Sequence, residues 1–182
     1  MTDLWNLNAD DGELILRTGV AGRAARMGHR LTLTMSRWQA SVNWSDGQPE
    51  WAELTVAVDS LEVLRGEGGV KGLSGPEQAL VRSNALKSLS AKRFPEVRFT
   101  ADVIEKTVDG YRLDGTLNVR GKTRAHAVDL RLDDCGDHWA LAAESVVRQT
   151  DFGVKPYSML VGALRVADDV TVVFSARRSK ND

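Results

Sequence analysis

A two-residue alternation of apolar and polar side chains recurs along most of this chain and restricts what it can fold into. It is clearest between Gly19 and Trp44. Leu31, Leu33 and Met35 share one side there, with Thr32 and Thr34 on the other. After Ser36-Arg37, the apolar positions Trp38, Ala40, Val42 and Trp44 are opposed by Gln39, Ser41 and Asn43. Successive strand residues point to opposite faces, so these runs predict two strands, each with one apolar side.

Further strand-like runs are Glu13 to Arg17, Glu53 to Val58, Val97 to Ile104 and Tyr111 to Val119. Ala127 to Leu132, Trp139 to Val147 and Val170 to Ala176 complete the set. Turn signals separate them: Asp10-Asp11-Gly12, Ser45-Asp46-Gly47, Asp109-Gly110, Arg120-Gly121-Lys122, Asp133 to Asp137 and Ala167-Asp168-Asp169. Many short strands with regular punctuation predict an all-β sandwich or barrel. One segment departs from the pattern. Ser74 to Leu89 has a capping serine, Pro76 in the first turn and Glu77 at the positive end. With Leu80, Val81, Leu86 and Leu89 roughly on one face, it predicts one short helix over about 76–89. A Gly-rich loop, Gly66 to Gly75, precedes it.

The chain has 182 residues, enough for one well-filled domain spanning 1–182, and nothing in it reads as an interdomain linker. Its formal net charge of −1 lacks the basic excess of a general nucleic-acid binder. The single cysteine, Cys135, precludes an internal disulfide. The acidic start MTDLWNLNADDGE is unlike a signal peptide, and no apolar run approaches the ~20 residues of a membrane span. The expectation is a cytoplasmic protein that is not embedded in a membrane.

Five blocks, taken in order, resemble the YceI-like, polyisoprenoid-binding, lipocalin-like family between about Leu14 and Ala176. They are AARMGHRLTL (Ala24 to Leu33), VDSLEVLRGEGGVKGLS (Val58 to Ser74), ALKSLSAKRFPEVRFTA (Ala85 to Ala101), YRLDGTLNVRGKTRAHAVDL (Tyr111 to Leu130) and DFGVKPYSMLVGALRVADDVTVVFSA (Asp151 to Ala176). The resemblance implies an antiparallel eight-stranded lipocalin-like β-barrel with an apolar tunnel for a long-chain isoprenoid-like lipid, such as a polyprenyl compound or quinone. It also points to a homodimer. It places Trp38, Trp44, Phe94, Phe99 and Phe152, with Tyr157, Met159 and Leu160, around the tunnel. Each of these side chains, taken singly, also reads as ordinary core. At the barrel mouth, His29 and Arg26 would meet a polar head group; the alternative is that His29 satisfies a backbone group and the arginines are solvated. Arg148, Asp151 and Lys155 form either a second polar rim or a structural ion pair.

Catalytic and metal signatures are poor. Asp151-Phe152-Gly153 lacks the catalytic and nucleotide loops of a kinase, and the Gly-rich loop lacks a Walker ending. His29, His126 and His138 have no paired ligand spacing, and Cys135 lies in an acidic turn unsuited to a nucleophile. The sequence therefore predicts a non-catalytic lipid-binding protein without metal or cofactor. Its rivals are an enzyme acting on a lipid-like substrate in the same cavity, or a packed, stress-associated interaction module.

Overall fold

The computed structural model describes residues 2–181. Twelve strands form one antiparallel sheet: β1 (Thr2–Asn8), β2 (Gly12–Ala21), β3 (His29–Met35), β4 (Trp38–Ser45), β5 (Gln48–Ala57), β6 (Leu61–Gly68), β7 (Glu96–Lys106), β8 (Gly110–Val119), β9 (Lys122–Asp134), β10 (His138–Arg148), β11 (Ser158–Met159) and β12 (Leu164–Ser179). One helix, α1 (Gly75–Ser88), lies between β6 and β7.

Twelve strands and the expected eight are reconciled by the registers. β1 pairs β4 from Thr2↔Ser45 to Asn8↔Gln39, while β2 pairs β3 from Ile15↔Thr34 to Arg17↔Thr32. Both pairings run in the same sense, so β1 and β2 are halves of one long strand jogged at Asn8 to Asp11. β3 and β4 are halves of a second, bent at Ser36-Arg37, and β5 and β6 of a third, bent at Val58–Ser60. The amide of Ser36 bonds the Ser60 carbonyl at 3.2 Å, and the Ala57 amide bonds that of Arg37 at 3.0 Å, which carries the pairing through the bend. Beyond it, β5 pairs β7, and the ring continues through β8, β9, β10 and β12 back to β2. Counted this way, eight strands close a barrel, with β11 as a short addition to β12. Closure removes most of the exposed edge that an open sheet would offer.

Turn chemistry explains part of this. Asp46 (φ 49°) and Gly47 (φ 78°) make a two-residue hairpin between β4 and β5, as Arg120 (φ 51°) and Gly121 (φ 74°) do between β8 and β9. The expected turn at Ala167-Asp168-Asp169 is instead a register shift inside β12. There Asp168 accepts from the Thr150 amide at 2.9 Å and hydroxyl at 2.6 Å.

The alternation sends apolar side chains inward. Tyr111, Leu113, Leu117 and Val119 of β8 are buried, whereas Arg112 is exposed and paired with Asp129. Polar faces point out and apolar faces in, the reverse of a membrane-spanning barrel. Among the described residues, no helix is long and apolar enough to cross a membrane.

The helix is capped by Ser74 as expected and runs one residue earlier than the expected 76–89. Ser74 accepts from the Glu77 amide, and the Glu77 carboxylate accepts from the Ser74 amide at 2.7 Å, a reciprocal capping box. No residue of α1 is fully buried. It lies along β6, on the edge left free where β5 turns away to β7, and two bonds fasten it. Arg82 donates from Nε to the Leu61 carbonyl at 2.7 Å and from its terminal nitrogen to the Asp59 carbonyl at 2.6 Å. A guanidinium bond to backbone contributes about 1.5–3 kcal/mol. Arg82→Ala is expected to lower unfolding free energy by about 2 kcal/mol, read from the denaturant midpoint, and an unchanged midpoint would show that α1 is held by its apolar contacts alone.

Candidate functional site

One end of the barrel is filled. The Trp5 and Trp44 rings lie 4.7 Å apart, Trp44 meets Tyr111 edge-on at 5.8 Å, and Trp139 stands 6.4 Å from Trp5. Trp38, at the opposite end of β4, is buried with its ring 5.3 Å from Phe174. Next to the Trp44–Tyr111 layer several inward positions are small: Ala40 on β4, Ala52 on β5, Ala101 on β7, Gly115 on β8 and Ala143 on β10. Gly115 cannot take a side chain, since a Cβ there would stand 1.9 Å from the Thr100 carbonyl oxygen. Of these small residues, Ala40, Ala52 and Ala143 line a cavity of about 770 Å³ whose other walls are mainly Leu, Val and Phe side chains. This lies inside the roughly 300–1,000 Å³ range of sites that take up a whole small molecule.

The structure distributes the expected site residues unevenly. Phe99, Phe152, Tyr157, Met159, Leu160 and His29 line the cavity or its mouth. Phe152 is the buried tip of a 3₁₀ turn, Gln149–Phe152, that ends on Gly153 at φ 67°. Arg120 donates to the Gly153 carbonyl at 2.7 Å and holds that turn in place. Neither Trp38 nor Trp44 lines the cavity: Trp44 belongs to the packed end, whereas Trp38, at the other end of β4 opposite Val56, is buried against Phe174. Phe94 is half-buried against Gly121 under the Arg93 guanidinium, and Arg26 is exposed. His29 has a backbone partner: its Nε2 lies 2.5 Å from the Lys71 carbonyl and pins the Gly-rich loop. Gly69 packs on that ring so closely that a Cβ would sit 2.8 Å from Nε2. Arg148 forms a 3.2 Å ion pair with Asp169 across β10 and β12.

The interior also contains a polar pair that the sequence reading did not single out. His126 Nε2 lies 2.6 Å from the Ser145 hydroxyl, and the Phe99 ring stands edge-on to the imidazole at 6.0 Å. β9 and β10 pair only between Leu130↔Ala143 and Asp134↔Trp139, so this bond bridges the stretch where the two strands separate. Both side chains line the cavity. The signal was available, because His126 is in phase with Val128, Leu130 and Leu132, and Ser145 with Leu141 and Ala143. Burial disfavours the charged imidazole and pushes the His126 pKa below its ordinary value. A neutral imidazole beside a hydroxyl offers one donor and one acceptor in a mainly apolar chamber.

A YceI-like domain model matches residues 5–177. The structure is similar to that of Burkholderia cenocepacia BcnA, with a TM-score of 0.70 at 15% identity, covering 92% of this chain and 96% of that one. It is also similar to a Campylobacter jejuni YceI protein, with a TM-score of 0.61 at 14% identity, covering 82% and 85%. No curated protein matches the sequence.

The depressed His126 pKa fixes the sign of a pH effect. The unfolded chain, near about 6.5, takes up this proton before the folded one does. This contribution to stability is therefore complete above that pH and is lost as pH falls from there toward the folded value. Denaturant unfolding of wild type and His126→Phe at a series of pH values should show a smaller loss on acidification in the variant. Parallel curves would show that the imidazole is not shielded.

Proposed function

We propose a lipid-carrier function for this chain, which belongs to the YceI-like family. The observation that carries the reading is the cavity of about 770 Å³, bounded by apolar side chains and open at one end of a barrel whose other end is packed with tryptophan. An apolar chain gains about 0.8 kcal/mol for each methylene it buries, so about ten carbons supply roughly 8 kcal/mol before the cost of association. That suits a long hydrocarbon and is of no use to a polar metabolite. The family resemblance supports an isoprenoid-like tail.

The interior supports one polar contact on such a ligand. A carbonyl or hydroxyl reaching the His126–Ser145 pair would find a donor and an acceptor, as a quinone-type or other uncharged oxygen group requires. A phosphate would have to give up water without a cation beside the pair, so any charged head belongs at the mouth. The same dyad is the one observation that favours an enzyme. It lacks the form of an activated nucleophile, because among the described residues the imidazole bonds the Ser145 hydroxyl and pairs with no orienting carboxylate. We therefore read the pair as recognition.

Native mass spectrometry of protein from its own host should show a stoichiometric long-chain amphiphile. Phe99→Arg places a charge in the chamber, and Ala143→Phe fills it without charge. Both are expected to cut uptake of a fluorescent prenyl probe at least tenfold while the fold is kept. Undiminished uptake by both folded variants would mean that the ligand binds elsewhere.

A further inference from the structure

The mouth of the cavity combines three features that the interior does not need. The first is exposed apolar surface. Met27, Leu80, Met159, Leu160 and Val161 are each more than half exposed, and Val161 is fully so. The segments that carry Met27 and Met159–Val161 touch. The Ala24 amide bonds the Ala163 carbonyl at 2.8 Å, and Gly28 leaves just enough room for Leu164 and Val20. The second is backbone strain. Leu160 (φ 52°) and Val161 (φ 54°, ψ 41°) both adopt the left-handed conformation, followed by Gly162 (φ 82°). For a β-branched residue this is costly, and it holds a valine out in solvent when a glycine or asparagine would sit there at less cost. The third is charge. The segments 22–30, 65–77 and 155–165, which frame the mouth, contain seven basic side chains, Arg23, Arg26, Arg30 and Lys71 among them, against the two acids Glu67 and Glu77. That is a local excess of five positive charges on a chain whose total is −1.

We propose that this rim docks on an anionic lipid bilayer, with the Leu160–Val161 tip entering the interface and the arginines on the head groups. The inference rests on the carrier reading and adds the surface from which the cargo is taken. Apolar side chains inside a basic ring are the composition of interfacial membrane binding, where burial and attraction to anionic lipid add together. A second copy of this chain is a poor occupant, because the same excess of positive charge would face itself.

The test is flotation of the full chain with vesicles of phosphatidylcholine alone or mixed with phosphatidylglycerol. Wild type should float with the mixed vesicles at low ionic strength and be released at about 1 M salt, where the screening length is about 3 Å. Val161→Asp, which suits the left-handed backbone better than valine does, should reduce the floated fraction at least fivefold. Arg23→Glu combined with Arg30→Glu should abolish the preference for anionic vesicles. Neither variant changes a cavity-lining residue, so uptake of the prenyl probe in vesicle-free solution should stay at the wild-type level. Failure of wild type to float, equal flotation of all variants, or salt-independent binding to neutral vesicles would overturn the proposal. Loss of probe uptake in wild type with flotation intact would overturn the carrier reading and leave the docking surface standing.

Discussion

The ring of backbone hydrogen bonds that closes the barrel is the constraint on which everything else depends. Once eight strands return from β12 to β2, strand number and tilt set the diameter, and side chains can only decide how the interior is filled. Eight strands sit at the margin where side chains either fill the middle or leave room for one ligand. This chain does both. Indole and phenol rings fill the end around Trp44 and Tyr111, while above them Ala40, Ala52 and Ala143 help to line the hollow part. The crowding of aromatic rings at one end therefore decides which end of the barrel the chamber occupies.

The bent strands matter for the same reason. β3 and β4 pair on one side with β2 and β1, and their partner strand turns from β6 into β5 to meet β7. This bend closes the ring and also leaves the upper edge of β6 without a strand beside it. The helix α1 covers that edge, tied by Arg82 and lined on its inner side by Val81, Ala85 and Leu89. A wall made of a helix with no fully buried residue has little apolar contact to break before it moves. The helix packs on the core through the partly buried Ala85 and Leu86, with Leu89 at its end.

Much of this architecture was legible in the sequence, because a period of two over many segments has few other solutions. Most of the strands, the helix with its serine cap, and the Asp46-Gly47 and Arg120-Gly121 turns follow from local chemistry, whereas β1 and β6 fall outside the runs read as strands and the expected loop from Gly66 begins inside β6. Continuity across breaks did not follow from it. Asp10-Asp11-Gly12 carries hairpin chemistry but only jogs one strand. Asp168 resembles a turn residue, and its carboxylate instead holds Thr150 on a neighbouring segment. Both depend on partners far away in sequence. Within the site, Phe99 and Phe152 line the cavity, whereas Trp38 and Trp44 do not, since alternation says which face a ring takes and not how far along the barrel it lies. His29 was notable in sequence as a lone imidazole beside arginines, and the structure spends it on the Lys71 carbonyl. His126, hidden in a charged run, is the imidazole that faces the chamber.

A deep apolar chamber also constrains how its cargo is exchanged. With about 0.8 kcal/mol gained per methylene, a tail of about ten carbons held by roughly 8 kcal/mol leaves for water about a million-fold more slowly than an unheld one. Lengthening the tail makes release into water slower still, so a carrier that works only through free solution would trap the ligands it binds best. Contact with a bilayer removes this penalty, because the tail passes from one apolar medium to another. The exposed residues at the mouth fit that requirement: Met27 and Leu160 line the opening from inside and are more than half exposed outside it, so an apolar path runs from the chamber to the rim. The features that would make the protein hold lipid firmly in water are thus the ones that require its opening to be apolar.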